Sequence, residues 1–108
     1  MNHREAAAVI ARTAPSWAGP RARRLVQAVA FYETNYGQGW ARSCPEMVGS
    51  HNWGAIQGSP GFVCTDHHRD GTAYQASYRA YASDDDGARA LWARPRAEAA
   101  RSHHRSGT

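Results

Sequence analysis

Apolar residues recur at helical spacing through the first third of the chain, lapse through a Gly- and Ser-rich middle, and then alternate at strand spacing. Asn2 with Glu5 has the form of a capping box and predicts a first helix through about Ala14. Pro15, Gly19 and Pro20 interrupt it, and Trp17 between them is expected to anchor the turn in the core. Pro20 suits the first position of a second helix running to about Glu33. Leu25, Val26, Val29 and Tyr32 fall on one stripe of that helix and form its expected inward face. Residues 34–57 read as loop with short helical turns, because Gly, Ser, Asn and Pro recur there. Gly58, Pro60 and Gly61 precede a strand-like piece at 62–65. Asp70-Gly71 marks a tight turn, and 73–82 reads as the returning strand with Tyr74, Tyr78 and Tyr81. Ser83 followed by Asp84, Asp85 and Asp86 supplies a cap and a first turn of carboxylates for a third helix. Ala88, Leu91 and Trp92 are its expected inward face, and Pro95 is expected to end or kink it. The predicted class is α+β, mostly α: helices around a small antiparallel hairpin lobe. The domain spans 1–94, and 95–108 reads as a frayed basic tail.

A length of 108 residues fits one domain with a modest core. No apolar run approaches the roughly 20 residues that span a bilayer, so membrane insertion is not expected. The N-terminus lacks the pattern of a signal peptide. A net charge of +4, carried entirely by Arg, favours an anionic partner such as nucleic acid, a membrane surface or cell-wall polymer. The arginines are scattered and match no nucleic-acid motif, so nucleic acid is not the expected partner.

Cys44 and Cys64 flank the loop-rich stretch. They suit a disulfide in an oxidising compartment, or two buried thiols elsewhere. Cys64 with His67 and His68 lacks the spacing of established zinc sites, so neither metal nor cofactor is expected.

Glu33 stands out chemically. A carboxylate at a helix C-terminus meets the wrong end of the macrodipole, unfavourable by about 0.3–1 kcal/mol. Phe31, Tyr32, Tyr36 and Trp40 lie close in sequence and are positioned to desolvate it. Both influences favour the protonated carboxyl, the form in which a glycosidase acid works. A solvated helix end is the alternative reading of the same residues.

Three segments occur in a telling order: Glu33-Thr34-Asn35-Tyr36-Gly37, then Ser50-His51-Asn52-Trp53-Gly54-Ala55-Ile56-Gln57, then Tyr78-Arg79-Ala80-Tyr81-Ala82-Ser83. Across residues 20–92 this resembles the lysozyme-like bacterial β-N-acetylglucosaminidases of autolysins and flagellar muramidases. The resemblance implies a lysozyme-like fold and cleavage of β-1,4 bonds between N-acetylated amino sugars of peptidoglycan. It makes Glu33 the general acid, puts the cleft floor at Asn52, Trp53 and Gln57, and sets Tyr78 and Tyr81 along the cleft. Trp53 and Tyr78 equally suit ordinary core packing. Arg79 is read as an ion-pair partner of Asp84, Asp85 and Asp86.

Glycoside hydrolysis commonly uses a second carboxylate. Asp66 on the predicted hairpin is the candidate base or nucleophile, unless the substrate acetamido group takes that role. Asp70 before Gly71 reads as a turn former. Two features depart from the resemblance: Thr34 replaces the usual Ser, and the third helix meets Pro95 early. The implied protein is a monomer that acts on the cell wall after secretion, in the periplasm or on delivery by phage. The alternative is a non-catalytic module that binds cell-wall glycan in the same cleft.

Overall fold

The structure, a computed structural model, describes residues 1–38 and 44–105, those from 95 onward by backbone alone. Helix α1 (His3–Thr13) starts as the capping box predicts. Asn2 accepts from the Glu5 N–H at 2.8 Å, and the Glu5 carboxylate accepts from the Asn2 N–H at 3.0 Å. Helix α2 (Pro20–Thr34) opens on Pro20 and closes on Asn35 in the left-handed conformation. A 3₁₀ turn at Pro45–Met47 precedes the antiparallel hairpin of β1 (Gly61–His67) and β2 (Ala73–Arg79). Helix α3 (Asp84–Arg105) is capped by Ser83, whose Oγ accepts from the Asp86 N–H at 3.1 Å. Three helices and one hairpin give the expected α+β, mostly α, class.

Two apolar clusters divide the chain into lobes. Ala6, Val9, Ile10, Val26, Ala30, Leu91 and Trp92 belong to the helical cluster. Cys44, Met47, Cys64, Ala76 and Tyr78 form the other, under the hairpin. Ala88, Leu91 and Trp92 are buried as expected. Cys44 and Cys64 are disulfide-bonded, with Cα atoms 5.4 Å apart. Closing that loop stabilises the fold by about 3 kcal/mol on the chain-entropy account.

Three expectations need correcting. Leu25 and Tyr32 are 59% and 86% exposed, so α2 buries Val26, Ala30 and Thr34. Val26, Ala30 and Thr34 form one i, i+4 row of the helix, and Leu25 and Tyr32 lie off that row. Trp17 is 46% exposed and meets Trp92 edge-on at 5.8 Å, at the margin of the core. Helix α3 continues past Pro95 to Arg105, where a tail was expected. Among the described residues, no helix is long and apolar enough to cross a membrane.

Candidate functional site

Glu33 occupies the penultimate position of α2 and is half-buried. Among the described residues its carboxylate makes neither an ion pair nor a hydrogen bond. The expected aromatic enclosure takes a different form. Phe31 and Tyr32 are 43% and 86% exposed. Tyr36 is buried, with its ring 5.5 Å from Trp53 and its hydroxyl 2.6 Å from His3 Nδ1. Trp40 lies outside the described residues.

The next residue fixes this helix end. Thr34 Oγ1 donates to the Trp53 carbonyl at 2.8 Å and accepts from the Gly37 N–H at 2.8 Å. The segment from 50 to 57 is thereby attached to the end of α2, and the hairpin is attached to its other side. Asn52 Nδ2 donates to the carbonyls of Ile56 (2.9 Å) and Arg79 (2.8 Å), while its Oδ1 accepts from the Ile56 N–H at 2.9 Å. The Tyr81 N–H donates to the Ser50 carbonyl at 2.7 Å, and the Arg79 N–H to the Ile56 carbonyl at 3.0 Å. Gln57 pairs with Tyr78 as an isolated antiparallel bridge. On the far side, Asp84 Oδ1 accepts from His51 Nδ1 at 2.9 Å and Trp53 Nε1 at 3.0 Å. The Arg94 guanidinium donates to the Gly54 carbonyl. All three sequence segments therefore meet at one junction.

Burial changes the roles expected of two residues. Asn52 and Trp53 are both 0% exposed. Neither side chain offers surface to a ligand; both set the path of the backbone that would form a cleft floor. Gln57 is exposed and Tyr81 half-buried. Arg79 does not pair with the α3 carboxylates. Its guanidinium lies over the Tyr81 ring at 5.9 Å, while those carboxylates engage His51, Arg12 and Arg89.

Asp66 sits on β1 directly opposite Tyr74. Its Oδ1 accepts from the His67 N–H at 2.8 Å, and Oδ2 lies 3.2 Å from the Tyr78 hydroxyl and 3.3 Å from that of Tyr74. The His67 N–H, followed by the two phenols and the charge of His67, holds the Asp66 carboxyl below the usual carboxylate range. Tyr78 thus meets Gln57 through the backbone bridge and Asp66 through its hydroxyl. Tyr74 was missed as a partner of Asp66, although alternation along the hairpin puts 66, 74 and 78 on one face. Asp70 is the turn former expected, its Oδ1 accepting from the Thr72 N–H at 2.9 Å.

Backbone strain gathers at the junction. Among the described residues, the non-glycine residues with positive φ are Asn35 (48°), Tyr36 (60°), His51 (56°) and Ala55 (52°). All of them lie in the two segments joined by the Thr34–Trp53 bond. Comparison with family models, with curated proteins and with solved structures gave no match.

Proposed function

We propose that this chain cleaves β-1,4 glycosidic bonds between N-acetylated amino sugars of peptidoglycan, on a lysozyme-like fold, with Glu33 as the general acid. The supporting observation is the strained junction beside a carboxyl that has no ion pair or hydrogen bond among the described residues. Left-handed non-glycine residues cost of order 1–3 kcal/mol each, somewhat less for Asn. Such strain concentrates where a site needs a set backbone path, and here it flanks Glu33 on both joined segments.

In this reading Glu33 gives its proton to the bridging oxygen as the bond from that oxygen to the anomeric carbon breaks. Water then adds to the anomeric carbon, and its proton passes to a carboxylate. Asp66, held ionised by its donors, is suited to oppose the positive charge that develops on the sugar. It is not suited to be a second acid. Gln57 and Tyr81 offer an amide and a phenol to hydroxyl and acetamido groups, over a floor whose course Asn52 and Trp53 fix.

The deciding measurement is wall lysis by the wild type and by Glu33→Gln, with mass analysis of the released reducing ends. Gln keeps the shape of Glu but carries no transferable proton, so lysis should fall by about 10²–10⁴ with folding intact. Lysis at the wild-type rate would remove Glu33 from the mechanism. Tight glycan binding by the wild type without new reducing ends would make the chain a binding module instead.

A further inference from the structure

A depression lies beside the loop that leads into α2, away from Glu33. Thr13, Pro15, Trp17, Arg89, Trp92 and Ala93 line this depression of about 240 Å³ between the α1–α2 loop and α3. Its walls are two indoles set almost at right angles, 86° apart, and Trp17 keeps 46% of its surface exposed. Its polar groups are largely turned away. The Trp92 N–H donates to the Ile10 carbonyl at 3.2 Å, and the Thr13 hydroxyl to the Val9 carbonyl at 2.7 Å. The charges beside it are matched in sign. Arg89 pairs with Asp86 at 3.5 Å, and Arg12, next to Thr13, pairs with Asp85 at 2.7 Å.

That chemistry selects a ligand. Arg89 is the one charged residue among these lining residues, and its pairing with Asp86 leaves the wall without an unmatched charge to favour an ionic ligand. A neutral ring with one apolar face would lay that face on the exposed Trp17 indole and keep its polar rim in water.

We propose that this depression is a second glycan-binding site, which seats one N-acetylhexosamine ring of a strand against Trp17. The choice of glycan rests on the reading of the chain as a peptidoglycan glycosidase. Helix α2 separates Pro20, near this site, from Glu33, so the two sites stand about 20 Å apart along the helix. The second site thus holds the polymer without touching the bond that is cut.

The test titrates an N-acetylglucosamine tetramer into isotope-labelled Glu33→Gln protein and follows indole N–H and Arg side-chain signals by NMR. Saturable shifts at Trp17 and Arg89 are expected. Trp17→Ala should weaken that binding by about tenfold or more. Trp17→Tyr, which keeps a ring on the wall, should retain most of it and guards against loss of fold in the alanine variant. Shifts that spare Trp17 and Arg89, or equal affinity for the Trp17→Ala protein, would overturn the proposal. So would saturation of Trp17 by a proline-rich peptide where the tetramer has no effect. The signal is read at Trp17 in a protein without the acid, so an inactive wild type does not alter the outcome. Absence of shifts at Trp17 in turn leaves the assignment of Glu33 standing.

Discussion

Thr34 donates its hydroxyl to the carbonyl of Trp53 at 2.8 Å, across 19 residues of sequence. The same oxygen accepts from the Gly37 N–H, so one buried side chain fixes both the end of α2 and the segment facing it. Glu33 is the preceding residue, and its direction depends on that attachment.

Thr34→Val tests the attachment. Valine keeps the volume and branching of threonine but leaves a buried carbonyl and a buried N–H without their partner. A cost of about 1–3 kcal/mol is expected, measured by urea unfolding, with Thr34→Ser losing less. On the proposed mechanism, wall lysis should fall more than stability alone explains, because the helix end carrying the acid is released. An unchanged midpoint would show that the bond does not hold the junction.

Acid should weaken the hairpin through Asp66. Its carboxyl titrates below the usual range when folded, with the His67 N–H the largest cause and the Tyr78 and Tyr74 phenols adding to it. A carboxyl depressed in the folded state stabilises the fold above its unfolded value, near 3.9, and that contribution is lost as pH falls through the folded value. Asp70 and Asp85 are depressed likewise, the first by the Thr72 N–H and the second by Arg12, and act in the same direction. Tyr78→Phe removes one donor, so the titration of Asp66 should move upward, read directly from its side-chain carbonyl signal by NMR. If Asp66 serves the proposed reaction, the acidic limb of the lysis profile moves up with it. A titration unchanged in Tyr78→Phe would show that the 3.2 Å contact does not act on Asp66.

Local signals in the sequence were legible where one segment carries its own chemistry. The capping box at Asn2, Pro20 at a helix start, the turn at Asp70-Gly71 and the Ser83 cap each satisfy backbone groups within a few residues. Tertiary choices were legible only in part: Ala88, Leu91 and Trp92 are the buried face expected of α3, while other helix faces and side-chain partners differ. Of the expected α2 stripe, Val26 is buried and Val29 packs against the core, while Leu25 and Tyr32 are exposed and Ala30 and Thr34 are buried in their stead. Trp17 went astray because Trp92 on α3 meets it at the margin of the core, and Arg79 because its neighbour Tyr81, not the α3 carboxylates, takes its guanidinium. At the candidate site, Glu33 and Asp66 could be singled out by type and position. The inward turn of Asn52 and Trp53 could not, since it depends on carbonyls supplied by β2 and a carboxylate supplied by α3. Pro95 misled for a different reason. Proline disfavours a helix interior by roughly 3 kcal/mol, yet the α3 backbone runs on through it to Arg105.

Gly87→Ala sets two influences against each other on α3. Intrinsic propensity favours alanine over glycine in a helix interior by about 1 kcal/mol, and by itself predicts a more stable protein. Packing opposes it. A Cβ at position 87 would overlap the His51 carbonyl oxygen and come within 3.5 Å of the Trp53 side chain. The carbonyl is backbone, so no change of rotamer relieves the overlap; α3 must move away from the 50–57 segment. That movement stretches the bonds from His51 and Trp53 to Asp84, now 2.9 and 3.0 Å. Overpacking of this kind costs about 1–3 kcal/mol or more, so the contact should outweigh propensity. Thermal unfolding of Gly87→Ala is therefore expected several degrees lower, by about 4–8 °C per kcal/mol for a domain near this size. Wall lysis should drop with it if the strained segment shapes the cleft. A midpoint equal to or above the parent value would mean that propensity wins, and that α3 does not press against His51 as closely as the structure has it.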